Sequence, residues 1–132
     1  MGFIYKHIFI SHAWRHDTDY NTVVSWLDDS PLLWRNFSVP EHDPIDVHNT
    51  AKLSAALTEQ IRHAEIVIII GGMYGAHSNW IQYELEEAYR MSKKIILIRP
   101  RGQERMPEIA QKYASTIVNW NSTSLIDAIR YY

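Results

Sequence analysis

The chain contains no cysteine. That excludes disulfides, thiol nucleophiles and thiolate metal sites. A long apolar run is also missing. The most hydrophobic stretch, Ile66-Val67-Ile68-Ile69-Ile70, is far shorter than the ~20 residues a membrane-spanning helix needs, so no membrane partner is expected. Neither sign of charge dominates: Lys and Arg total 13 against 15 Asp and Glu, a formal net charge of -2. No global field therefore favours nucleic acid or an anionic membrane surface. The opening Met1-Gly2-Phe3-Ile4-Tyr5-Lys6 has no basic region followed by a long apolar one, so no signal peptide is expected and the cytoplasm is the expected location.

Several nucleotide-site signatures are absent too. No G-x-G-x-x-G follows the first strand, and no G-x-x-x-x-G-K-[ST] or G-x-S-x-G occurs. A Rossmann dinucleotide turn, a P-loop and the usual hydrolase elbow are thereby excluded. A phosphorelay receiver needs acidic residues after its first strand and a lysine after its last. Here those places hold Ser11-His12 and Asn119-Trp120. The Ser/Thr/Gly phosphate cradle of a flavodoxin is missing from the same first loop.

What is present fits one domain spanning residues 1–132. The length suffices for a real core, and 46% hydrophobic with 21% charged residues is the profile of a globular protein. Strand-like and helix-like segments alternate. Tyr5 to Ile10 is apolar and β-rich. Tyr20, Val23, Val24 and Leu27 recur at helical spacing after a cap at Asp17 or Thr18. A weaker strand covers Arg35 to Val39 and ends at Pro40, and Glu41 to Asn49 reads as a polar loop. Leu53, Ala56, Leu57, Gln60, Ile61 and Ala64 mark a second helix, capped by Asn49 or Thr50. Glu65 to Ile70 is a central strand whose apolar, β-branched content suits burial on both faces.

The chain then turns at Gly71-Gly72 and is expected to enter a helix near Ser78, with Ile81, Leu85 and Ala88 as its core stripe. Strands at Ile95 to Ile98 and Thr116 to Val118, and helices at Pro107 to Tyr113 and Ser122 to Tyr131, complete the alternation. The expected fold is α/β: a flavodoxin-like, three-layer sandwich around a five-stranded parallel sheet.

In such a sheet, ligands bind in the crevice beyond the carboxyl ends of the strands. Glu84 lies one turn after Trp80, which puts a carboxylate and an indole on one side of the helix at that edge. Glu86 falls roughly 200° away around the axis and should face solvent.

The residues at this edge carry a resemblance. His7-Ile8-Phe9-Ile10-Ser11-His12 is similar to the opening strand motif of TIR domains. Ser78-Asn79-Trp80-Ile81-Gln82-Tyr83-Glu84-Leu85 is similar to their S-x-W-C-x-x-E-L helix motif, with Ile81 in place of the cysteine. The chain more closely resembles the bacterial TIR-like proteins of the Thoeris anti-phage system. Four of their blocks occur in order: Phe9 to Trp14, Ser38 to Pro44, Gly72 to Glu84 and Val118 to Asn121.

The resemblance implies an NAD glycohydrolase or ADP-ribosyl cyclase-type enzyme. NAD would be its substrate and no separate cofactor would be needed. The product would be a signalling ADP-ribose derivative, cyclic or a related adduct, detected by a downstream effector protein. Glu84 matches the family's glutamate and is the expected catalytic residue. Ser11, His12, Trp14, Asn36, Asp43, Met73, Tyr74, His77 and Trp80 are the expected substrate-binding residues, with Met73, Tyr74 and His77 directly before the Glu84 helix. Association of enzymatic TIR domains suggests a homo-oligomer, with Pro40 to Asn49 involved.

Plainer roles stand beside these. Trp80 and Trp14 also suit packing, Ser11 and His12 a strand-end cap, and Asp43 a turn before Pro44. Gly71, Gly72 and Gly75 fit a plain turn better than a phosphate cradle. His12, His16, His42 and His48 show no recognisable ligand spacing, so no metal is expected. Two other functions remain open: a non-catalytic TIR-like interaction module, and a nucleoside deoxyribosyltransferase-like enzyme that also uses a glutamate beyond a strand.

Overall fold

The computed structural model describes residues 5–11, 18–38, 50–71, 74–99 and 108–130. Among the described residues ten elements alternate: β1 (Lys6–Ile10), α1 (Thr18–Asp28), β2 (Trp34–Asn36), α2 (Thr50–His63), β3 (Ile66–Ile70), α3 (Tyr74–Arg90), β4 (Lys94–Ile98), α4 (Glu108–Tyr113), β5 (Thr116–Val118) and α5 (Ser122–Arg130). The strands form one sheet in the order β2-β1-β3-β4-β5, and every pairing is parallel. This is the flavodoxin-like α/β fold expected above.

Parallel neighbours need a crossover, and right-handed crossovers put α1 on one face and α2, α3 and α4 on the other. The packing agrees. α1 lies against α5, while α3 lies between α2 and α4. Covered on both faces, β3 buries all five of its residues, and β4 buries Ile95 to Ile98. The core stripe of α3 is Ile81, Leu85 and Ala88, all buried.

Two elements differ from the sequence expectation by more than one residue at an end. β2 is short and shifted, ending at Asn36 rather than running on to Val39, which lies outside the described residues. Its last sheet contact is Phe37 N to Ile8 O at 2.8 Å. The chain then turns because Asn36 Oδ1 accepts a hydrogen bond from Ser38 N at 2.9 Å, a local bond that competes with strand pairing. The larger difference is α3, which starts at Tyr74 and not at Ser78. Ser78 lies one turn inside the helix. A serine cap contributes only ~1 kcal/mol, and a start at Tyr74 adds a further turn of backbone hydrogen bonds.

No helix among the described residues is long and apolar enough to cross a membrane.

Candidate functional site

The strand order reverses direction between β1 and β3, and in this topology the crevice at the carboxyl ends of those two strands is the ligand position. Ser11 directly follows β1, and its N–H reaches across to Ile68 O of β3 at 2.9 Å. That bond holds the Ser11 backbone in the sheet. Ser11 is buried, at 1% exposure.

Glu84 comes from α3, the helix that follows β3. Its neighbours Ile81, Leu85 and Ala88 define the buried stripe, and Glu84 occupies a position within it, since i, i+3, i+4 and i+7 share one helix face. A carboxylate therefore stands where the packing pattern asks for an apolar side chain. It is 3% exposed. Glu86 is exposed as expected and accepts a hydrogen bond from Gln82 Nε2 at 3.1 Å.

The rotation of α3 is set by the residue next to Glu84. Tyr83 Oη donates to Ser54 O of α2 at 3.2 Å. The Thr58 hydroxyl stands 2.5 Å from Tyr83 Oη. With the tyrosine proton on Ser54, Thr58 is the donor of that second bond. Two bonds to α2 thus pin the helix, and Glu84 stays turned into the protein.

Burial dominates the chemistry of Glu84. Loss of solvation raises its pKa from 4.5 to about 8, and the Ser11 hydroxyl acts in the opposite sense. Yet Ser11 Oγ and Glu84 Oε2 are both buried and have no hydrogen-bond partner among the described residues. Ser11 is thus a close neighbour able to favour the carboxylate, without a well-formed bond to it in this arrangement. Two buried polar atoms left open at one crevice are uncommon and call for an explanation. A polar ligand that bonds to both supplies one.

Ser38 supports this corner and was not among the expected site residues. Its buried Oγ accepts from Ile10 N at 3.0 Å, tying the end of β1 to the turn after β2. The sequence held a hint, because Ser38 opens the second of the four family blocks. Asn36 also lies at this edge, in register with Ile8. Its amide is committed to structure: besides the bond from Ser38, its Nδ2 donates to Tyr20 Oη of α1 at 3.1 Å.

Of the other expected site residues, His12, Trp14, Asp43 and Met73 lie outside the described residues. Tyr74, His77 and Trp80 are in the first half of α3, so Tyr74 and His77 belong to the helix itself rather than to a loop before it. Among the described residues no cluster of His, Asp or Glu could hold a metal ion. Two described concavities, about 320 Å³ beside Trp26 and Asp127 and about 500 Å³ beside Tyr89 and Lys112, are lined by neither Glu84 nor Ser11.

Solved structures share the fold. A 2-deoxyribosyltransferase from Bacillus psychrosaccharolyticus superposes with a TM-score of 0.65 at 16% identity, covering 90% of this chain and 89% of its own. A CMP N-glycosidase from Clostridium botulinum, BcmB, gives 0.58 at 12% identity, over 95% and 99%. No curated protein sequence matches the chain. Residues 9–105 match the family described as Thoeris protein ThsB, TIR-like domain, and the chain belongs to that family.

Proposed function

We propose that this protein cleaves the N-glycosidic bond of NAD, releases nicotinamide and turns the ADP-ribosyl unit into a signalling nucleotide, a cyclic ADP-ribose isomer or a related adduct, for a partner effector. The observation that carries the reading is the buried Glu84 carboxyl beside the open Ser11 hydroxyl at the β1/β3 crevice.

The chemistry asks little of the protein. The bond between the ribose anomeric carbon and the pyridinium nitrogen breaks, and its electron pair neutralises that nitrogen. Nicotinamide leaves without needing a proton, so one carboxylate suffices where ordinary glycoside hydrolysis uses two. Positive charge appears on the ribose, and a carboxylate held in a dry site stabilises it strongly.

In the free protein Glu84 is mostly neutral at pH 7, given a pKa of about 8. NAD brings a fixed positive ring, and an opposite charge nearby favours the ionised carboxyl. Substrate binding therefore releases the proton and arms the site. Water or a group of the same nucleotide then attacks the anomeric carbon, an attacking O–H passing its proton to the Glu84 carboxylate, and exclusion of water by aromatic side chains favours ring closure over hydrolysis. Ser11, His12, Trp14, Asn36, Asp43, Met73, Tyr74, His77 and Trp80 supply the walls for phosphates, ribose and rings, and residues 40–49 contribute to self-association in the cytoplasm.

A second reading has one observation in its favour: the shared fold extends over nearly the whole of a 2-deoxyribosyltransferase and of a CMP N-glycosidase. In that case the same carboxyl would serve a nucleoside. A non-catalytic module gives no reason for a buried acid whose Oε2 has no partner among the described residues.

Incubation with NAD at high protein concentration, with nicotinamide and nucleotide products separated chromatographically, tests the proposal. Turnover of NAD with nicotinamide release supports it. Cleavage of purine deoxynucleosides or CMP with NAD untouched replaces it by the second reading, and inertness towards all of them favours the interaction module.

A further inference from the structure

The end of the sheet opposite Glu84 carries a second feature. A cavity of about 500 Å³ opens where α3 ends, β4 begins and α4 gives way to β5. Its lining includes Tyr89, Ser92, Lys93, Lys112, Tyr113 and Ser115, with two lysines and no carboxylate. A smaller hollow of about 260 Å³ is lined by three of the same residues, Tyr89, Lys112 and Tyr113. The larger hollow alone has a volume that suits a small ligand.

The lysines keep donors to spare. Lys93 Nζ gives one hydrogen bond to Arg62 O at 3.0 Å, which leaves two of its three N–H groups. Lys112 Nζ stands 5.6 Å from the centre of the Tyr113 ring. The nearby Glu87 carboxylate is taken by Arg90, and neither lysine forms an ion pair with a carboxylate among the described residues. Ser115 Oγ already accepts from Ile95 N at 3.0 Å, so its own O–H remains to be donated.

Tyrosine rings form one wall of the hollow. Tyr89 is 62% exposed, the most open of the large apolar side chains described. It touches Tyr113 edge to face, with centroids 5.0 Å apart, and most of its ring stays in solvent. The backbone adds a further oddity. α3 ends with Ser92 N bonded to Tyr89 O at 3.0 Å and Lys93 N to Ala88 O at 2.9 Å, a pattern that normally places glycine in the left-handed position. Here Ser92 holds φ 59°, at a cost of roughly 1 kcal/mol, and adds a hydroxyl to the cavity lining.

From these groups we infer a second ligand site, for a phosphorylated aromatic compound of mononucleotide size, with the phosphate on Lys93 and Lys112 and the ring on Tyr89. It is independent of the chemistry proposed at Glu84.

The test is a titration of the ¹⁵N-labelled chain with AMP at low salt, read by amide chemical shifts. The expected result is saturable shifts at Ser92, Lys93, Ala114 and Ser115. Inorganic phosphate or adenosine alone should bind there more weakly. Tyr89→Ala and Lys112→Ala should each weaken AMP about tenfold, the usual scale for losing one stacking or phosphate contact. Both side chains are at the surface, so an unchanged melting temperature will show that the variants fold. Because each amide reports its own position, binding near Ser11 is read separately. No shift at these four amides with millimolar AMP would overturn the inference. So would equal affinity for phosphate and AMP, or AMP binding undiminished in both variants.

Discussion

Replacing Glu84 with glutamine should stabilise this protein while disabling it, and the size of the gain should depend on pH. The reasoning starts from the folded-state pKa of about 8 against an ordinary 4.5. Between those values the unfolded chain has shed the proton that the folded chain keeps. The unfolded state thus binds fewer protons, and stability falls as pH rises. The wild type has this contribution in full below about pH 4.5, loses it progressively, and has lost it all above about pH 8. By neutral pH the loss amounts to about 3 kcal/mol at 1.36 kcal/mol per pH unit. Glutamine has nearly the same shape and never ionises. The stability difference between Glu84→Gln and wild type should therefore grow by about 3 kcal/mol from pH 4.5 to pH 7 and level off above pH 8. Urea denaturation of both proteins at several pH values measures it. A difference that stays flat across this range would mean that Glu84 titrates normally and is not held dry, and the electrostatic argument for the site would fail with it.

The same pKa predicts the pH profile of NAD cleavage. kcat/KM, which reports the free enzyme, should rise with pH through about 8 as Glu84 ionises, and kcat should rise at lower pH because bound substrate favours the carboxylate. A kcat/KM that instead falls through this range would make the neutral acid the active form. Ser11→Ala removes a hydroxyl that favours the ionised carboxyl, so its kcat/KM limb should move to higher pH than in wild type; an unmoved limb would exclude Ser11 from the site's electrostatics. Ser38→Ala takes away the acceptor of Ile10 N and should cost about 1–3 kcal/mol in urea denaturation, the usual penalty for a buried donor left open. A loss below a few tenths would show that the bond does not hold the end of β1.

The fold was legible where tertiary packing and local pattern agree. Ile66 to Ile70 carries no polar residue, and such a run has few places to go other than a covered parallel strand. α3 and β2 were misjudged at their ends for a shared reason, because short-range signals were weighed without their competitors. Ser78 is a good cap in isolation but loses to an earlier start. Phe37 is a good strand residue, yet β2 ends before it and the Asn36 side chain takes the Ser38 N–H.

Glu84 was placed on the correct helix and at the correct sheet edge. Its burial could also have been read from the sequence, because it interrupts the stripe Ile81, Leu85, Ala88. The raised pKa and the open Ser11 hydroxyl could not, since both arise only when β1 and α3 meet. The roles of Ser38 and Asn36 in bracing β1 likewise depend on pairings between residues far apart in the chain.

Nicotinamide released from NAD by the wild-type chain and by Glu84→Gln, assayed side by side on folded protein, is the most direct measurement. The account predicts turnover by the wild type and a loss of at least a hundredfold in the variant, the scale of removing one group that stabilises transition-state charge. Equal rates in the two proteins would contradict it.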